Sequence, residues 1–257
     1  HDGGNVELQG GRTTSSAQRG GAIQLKGGEG SSTSNNDGGD GGPIELYGGN
    51  AQGVNLNDNA GNVELYGGTA RAGYGGSIRL TTGVGIATSS GAILVNTVNA
   101  GTDGVSGAMT LSTGTSSLGK TGYMNVVTGQ STSGKGGYVS IKVGEGDSGE
   151  GGHVEVNSGK TTDARTGGYI LFTSGYSTPT SSGPASLRTP NAGGGGVSGE
   201  IMVTTGTSSS GNTGAFLLST GEATDGHGGD VRIRVGTGHS DDGGDVLISA
   251  GETTKSA

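Results

Sequence analysis

Aromatic side chains are the residues of this sequence whose spacing best suits a binding function. They recur at matching places in neighbouring segments, and the set consists of Tyr47, Tyr66, Tyr123, Tyr138, His153 and Tyr169. Rings in a row on one face can stack on one another, or their flat faces can bind sugar rings or a neighbouring filament. The sequence therefore predicts a surface ladder with two open interpretations, a structural stack or a binding stripe.

Hydroxyl side chains form a second candidate site, in the segment Tyr176-Ser-Thr-Pro-Thr-Ser-Ser182. Serine and threonine beside proline are typical of O-glycosylated, mucin-like stretches, so O-linked glycans are candidate partners. The candidate acceptors are Ser177, Thr178, Thr180, Ser181 and Ser182. The alternative is that small polar residues simply suit the corners of the chain.

Carboxylates near the expected loops raise the question of calcium, which needs six or more oxygen ligands. The residues concerned are Asp37, Asp40, Glu145, Asp147, Asp225, Asp230, Asp241, Asp242 and Asp245. They do not keep the Gly-Gly-x-Gly-x-Asp spacing of calcium-binding repeats. A solvated acidic face is the expected arrangement, with calcium as the alternative, and no other cofactor is expected.

Groups that could carry catalysis are sparse. None of the four histidines, at 1, 153, 227 and 239, is paired with a nucleophile. The nearest polar cluster consists of Asp230, Arg232, Arg234 and Asp245, which an ion-pair ladder would explain. No Gly-x-x-x-x-Gly-Lys-Ser/Thr phosphate loop occurs among the glycines. We expect no enzyme.

Composition argues against several further classes of protein. With 14 Lys+Arg against 22 Asp+Glu, the net charge of −8 gives no electrostatic footprint for nucleic acid. No apolar run is long enough to span a membrane, and the absence of cysteine excludes disulfides. With 62 Gly and 28% hydrophobic residues, the 257-residue chain lacks the side chains for a thick core. Because the sequence begins at His1, we expect a processed chain or a piece of a longer one.

A sixteen-fold repeat organises the chain: Gly, any residue, apolar, any, apolar, two residues, then usually Gly. The first apolar residue, here called position 0, falls at 6, 23, 44, 63, 78, 93, 109, 124, 139, 154, 170, 185, 201, 216, 231 and 246. Position −2 is glycine and position +2 is large and apolar in all sixteen repeats. Position +5 is glycine in fourteen, with Val98 and Pro190 as the exceptions. The first three spacings are longer, which predicts larger loops at 29–41 and 50–60; a further loop is expected at 190–198.

The alternation inside each repeat predicts a strand of about 5–6 residues with one buried face. Glycines between strands predict tight corners with positive φ. Small residues at position +4, such as Thr82, predict a corner beside the core, and small residues at position +7, such as Ser208, predict a second, thin wall. One strand in every 15–16 residues predicts an all-β solenoid without helices, a single continuous array over residues 1–257. One repeat per coil, or two or three per coil, both fit this pattern.

Units such as Gly136-Gly-Tyr-Val-Ser-Ile-Lys-Val-Gly144 and Gly243-Gly-Asp-Val-Leu-Ile-Ser-Ala-Gly251 resemble the Gly/Ser-rich β-solenoid repeats of secreted cell-surface proteins, including those of microalgae. The resemblance covers nearly the whole chain. It implies an extracellular location and a role as surface, wall, adhesive or appendage material, and it brings no catalytic residues.

The leading functional hypothesis is a structural subunit of an extracellular filament, surface hair, appendage or wall-type fibre, because a solenoid with uncapped ends pairs edge to edge with other copies. Its partners would be further copies of the chain, other filament proteins and O-linked glycans. The first alternative is an adhesin or carbohydrate-binding module that uses the tyrosine ladder. The second is an ice-binding protein with a flat threonine face.

Overall fold

The computed structural model describes residues 3–239 and 242–253, and these residues contain neither an α-helix nor a β-strand. The predicted β-solenoid is therefore wrong. Contacts divide the chain into two segments, His1–Val127 and Thr128–Ala257, each of which holds eight of the sixteen repeats.

The chain turns between every pair of successive repeats, so the repeat seen in the sequence is also the repeat of the structure. Fifteen turns or bends fall in the fifteen spacers, from residues 15–17 in the first to 224–226 in the fourteenth and positions 239 and 242 in the last. The apolar portion of each repeat, such as 201–203, lies outside these turns. The local plan of the chain is thus an apolar segment followed by a loop, sixteen times over.

Glycines close these loops at a narrow point, called here the neck. Across seven of the fifteen necks in the described part of the chain, the N–H of glycine −2 donates to the carbonyl oxygen of glycine +5 in the preceding repeat. Among the described residues this bond joins Gly21 to Gly11, Gly42 to Gly28, Gly61 to Gly49, Gly76 to Gly68, Gly91 to Gly83, Gly168 to Gly159 and Gly183 to Gly175, at 2.7–3.1 Å. Surface loops of 6–16 residues are commonly closed by ends that lie close together in this way.

Position +4 shows why glycine is required at the first necks. A Cβ on Gly27 would lie 2.1 Å from the carbonyl oxygen of Gly42, and a Cβ on Gly48 would lie 2.0 Å from that of Gly61. No real Cβ comes so close to another atom, so any side chain here would push the two backbone segments of the neck apart. The backbone segments approach each other only because neither carries a side chain.

In later repeats a small side chain fills the neck from one side. Thr82 lies against Gly91, Thr128 against Gly137, and Val143 against Gly152, where an added Cβ would be 2.6 Å from Val143 Cγ1. Ser158 Oγ also donates to the carbonyl oxygen of Gly168 at 3.0 Å. The sequence predicts a tight corner at position +4, and the small residues at this position do lie at the closing point of a loop. The core that was expected beside them is not present in the described residues.

Large apolar side chains remain exposed throughout the described residues: none is buried, and the most covered, Val235, is still 40% exposed. The total accessible surface is 26734 Å², against roughly 10,000 Å² for a folded globular chain of this size. Between neighbouring repeats the backbone bonds lie at the necks and do not continue as a ladder along the apolar segments. A solenoid needs such a continuous ladder and a covered apolar face, and the described residues have neither.

Two predicted loops are confirmed by their neck bonds. The bond from Gly42 to Gly28 encloses residues 29–41, and the bond from Gly61 to Gly49 encloses residues 50–60. Inside the second loop, Asn55 N–H donates to Asp58 Oδ2 at 3.0 Å, and Asp58 N–H donates to the Asn55 carbonyl at 2.9 Å. The expected loop at 190–198 turns at residues 194–195.

Two predictions about small residues need correction. Only Gly149 and Gly195 among the described glycines have a positive φ, so the glycines serve mainly for close approach at necks. Position +7 does not form a wall: Ser208 Oγ accepts from Gly211 N–H at 3.0 Å, and Thr161 Oγ1 accepts from Asp163 N–H at 3.1 Å. These hydroxyls hold the loop turns in place of a backbone acceptor.

Gly48→Ala is expected to open the neck of the 50–60 loop, because its Cβ collides with the Gly61 carbonyl oxygen, whereas Gly49→Ala has nothing within 4 Å of its Cβ. The Gly61 N–H, measured by NMR amide exchange, should exchange several-fold faster in the first variant and at the native rate in the second. Both substitutions remove the same backbone freedom from the unfolded chain. Equal exchange rates in the two variants would contradict the neck.

Candidate functional site

The tyrosines of the predicted ladder are all exposed. Tyr47, Tyr66, Tyr123, Tyr138 and Tyr169 have 79–89% of their surface open to solvent. Rings stacked on one another would lose much of that surface, which favours the binding stripe over the structural stack, and both interpretations stay predictions. What the structure presents is a set of separate rings with both faces accessible.

Alternation along the apolar segments determines which side these rings occupy. In the segment Ile93–Val95 the middle residue, Leu94, is 82% exposed while its two neighbours are less so, and the segments Ile201–Val203 and Phe216–Leu218 repeat the pattern. Tyr47 stands at position +3, and Tyr123, Tyr138, His153 and Tyr169 stand at position −1. Both positions share the parity of Leu94, and wherever a segment is extended, so that successive side chains alternate, this parity lies opposite the apolar columns.

The hydroxyl segment forms one closed loop. Its neck is the bond from Gly183 N–H to the Gly175 carbonyl at 2.8 Å, and its turn lies at residues 178–180. Thr180 Oγ1 donates to Ser177 Oγ at 2.9 Å, and Ser177 is half-buried. Of the five predicted acceptors, Thr178, Ser181 and Ser182 are thus exposed hydroxyls outside this pair.

Carboxylates do not come together in the described part of the chain. No group of three or more acidic or histidine side chains there is placed to hold a metal ion. Asp230 pairs with Arg232, two residues away on the same segment, and both side chains are mostly exposed, so the predicted cross-strand ladder is replaced by a local pair worth roughly 0–1 kcal/mol. Asp241 and His1 lie outside the described residues.

An apolar depression is a feature that the sequence analysis missed. Phe172, Ala185, Ser186 and Leu187 line an open space of about 400 Å³ between two successive repeats. Ala185 is the signal that could have indicated it, because it is the one alanine among the sixteen residues at position 0. The small side chain beside the large Phe172 leaves the space open.

The threonines predicted for a flat ice-binding face lie at the necks. Thr82 and Thr189 are half-buried there, and the Thr82 methyl group faces Gly91. These two threonines therefore take part in loop closure, and the ice-binding alternative stays a prediction.

No family model matches the chain, and neither a curated protein sequence nor a solved structure matches it. Within residues 3–239 and 242–253, no helix is long and apolar enough to cross a membrane. The candidate site therefore rests on its own geometry, which consists of separate exposed rings, one hydroxyl-rich loop and two columns of exposed apolar side chains.

All seven tyrosines of the chain should react with N-acetylimidazole under native conditions at rates within about twofold of those in urea, because none is covered in the isolated chain. Mass spectrometry of the peptides gives each rate separately. A native rate for Tyr123 or Tyr138 that is tenfold below its rate in urea would show that these rings are covered after all.

Proposed function

We propose that this chain is a structural subunit of an extracellular filament, surface appendage or wall-type fibre, formed by association of its repeats. The observation that carries the proposal is the placement of the large apolar side chains: they recur at fixed positions of sixteen repeats, and those described are all 40% exposed or more. Each of the two segments therefore offers a periodic apolar surface in place of a covered interior. The predicted stacking of β-solenoid coils has no part in this mechanism.

An extracellular location fits the chemistry of the surface. The exposed loops are rich in glycine and hydroxyl residues, and the closed loop at 176–182 presents Thr178, Ser181 and Ser182 to solvent. O-linked sugars on these hydroxyls would be accessible to modifying enzymes and would add hydration to the fibre. Absence of cysteine removes any dependence on the redox state of the compartment.

Electron microscopy of the purified chain over a range of concentrations tests the proposal, and salt provides a directional control. Copies with a net charge of −8 repel one another, and raising the ionic strength from about 10 mM to about 150 mM shortens the screening length from about 30 Å to about 8 Å. We expect fibres to appear at lower protein concentration in the higher salt. Dispersed monomers at every concentration and salt would overturn the proposal.

A second candidate function, carbohydrate binding, is favoured by the accessibility of the tyrosine rings. Tyr123 and Tyr138 are 89% and 87% exposed and occupy the same position in successive repeats. Flat, accessible rings are suited to contact with the apolar face of a sugar. On a fibre, these rings would make the surface adhesive.

The double variant Tyr123→Ala/Tyr138→Ala should weaken binding to immobilised polysaccharide by about tenfold, if each ring contributes about 0.5–1.5 kcal/mol. Tyr74→Ala/Tyr176→Ala is the matched control, because these two rings are also at least 85% exposed but lie in loops outside the repeated positions. Equal binding by both variants and the native chain, measured by affinity electrophoresis, would remove this second function.

A further inference from the structure

The apolar stripe is defined as the residues at positions 0 and +2 of the sixteen repeats, from Val6 and Leu8 to Val246 and Ile248. Every one of these positions is occupied by an uncharged apolar residue. From the second repeat onward, the large side chains at position 0 are 47–65% exposed, from Ile170 to Phe216. The side chains at position +2 are more exposed and less uniform, from 59% at Val156 to 85% at Ile248. The stripe is thus regular in chemistry, and its position 0 residues are regular in how far they are left uncovered.

About half of each position 0 side chain is covered, and the exposures in the first and last repeats show which neighbour covers it. Val6, which has no repeat before it in this sequence, is 91% exposed, whereas Ile23 in the next repeat is 51% exposed. Val246 in the last repeat is 54% exposed although no repeat follows it. The cover therefore comes from the preceding repeat, and the chain can supply only that half of the contacts.

The uncovered half is large enough to hold a stable complex. A fully buried aliphatic side chain removes roughly 60–120 Å² of apolar surface from water. Each segment carries eight repeats, so the exposed part of its stripe amounts to roughly 600–1,100 Å², comparable with the ~800 Å² that each partner contributes to a stable interface. Monomeric soluble proteins rarely expose a contiguous apolar patch of this size.

The period of the stripe indicates which partner fits it. Apolar pairs recur every 15–16 residues over most of the chain, and a partner must present apolar groups at the same interval to cover them all. Another copy of this chain does so by construction. Because no charged residue stands at position 0 or +2, two acidic copies can bring these positions together without burying a charge.

We propose that the apolar stripe is the interaction surface for a second copy of this chain, which covers the half that the preceding repeat leaves open. The proposal rests on the proposed function and names the surface through which the subunits associate. The depression lined by Phe172, Ala185 and Leu187 lies on the stripe between two successive repeats and receives a large side chain of the second copy, which sets the register between the two.

Single cysteines test the interface, since the chain has no cysteine of its own. Ile93→Cys places a thiol on the stripe, and Leu94→Cys places one on the adjacent residue of opposite parity. A short bis-maleimide should join copies of the first variant at least tenfold faster than copies of the second, as read on a denaturing gel.

Ile93→Ser should raise the concentration needed for association at least threefold in sedimentation velocity, and Leu94→Ser should leave it unchanged.

The outcomes separate this inference from the proposed function. Fibres whose copies cross-link equally through residues 93 and 94 would overturn the stripe as the interface and leave the structural role standing. Cross-linked pairs through residue 93 without any fibre would support the interface and overturn the structural role. Protection of the residue 93 thiol by added polysaccharide alone, without cross-linking between copies, would assign the stripe to a carbohydrate and overturn the inference.

Discussion

The close approach of two backbone segments at each loop neck is the constraint on which the rest of this molecule depends. At Gly48 the approach to Gly61 leaves no space for a Cβ, and the neck bond at 2.8 Å between Gly61 and Gly49 holds the ends of an eleven-residue loop together. Closing such a loop costs entropy that grows only slowly with its length, so loops of different sizes can share one neck. This is why spacers of unequal length interrupt the chain without disturbing the positions of the repeats.

The same glycines that allow the necks remove the means of building an interior. A side chain at position +4 would thicken the repeat and cover its neighbour, but the first four repeats have glycine there, and the later ones carry a small residue such as Thr82 that packs on the opposing glycine. Position 0 is then covered from one direction only. At position +4, a small residue allows the loop to close and a large residue would help to bury a core. The residues of this sequence favour loop closure.

Local features could be predicted from the sequence because their causes are local. The positions of the repeats and the bounds of the loops at 29–41 and 50–60 follow from the spacing of glycines, and the structure confirms both loops. The β-solenoid prediction failed because alternation, as in Ile93-Leu94-Val95, shows only that two sides of a segment differ. It does not show that a backbone partner exists for each N–H and C=O along the segment. The depression at Ala185 depends on which residue lies beside it, and that is a contact between repeats rather than a property of one repeat.

The two sides of each repeat can serve different partners at once. Residues at positions 0 and +2, such as Ile93, have one parity, and the exposed rings at positions −1 and +3, such as Tyr123 and Tyr47, have the other. A copy that covers the apolar side would leave the rings on the opposite side free, because successive side chains point to opposite sides of an alternating segment. Association through the stripe and adhesion through the tyrosines are therefore compatible in one assembly, and a fibre built on the first would display the second at intervals along its surface.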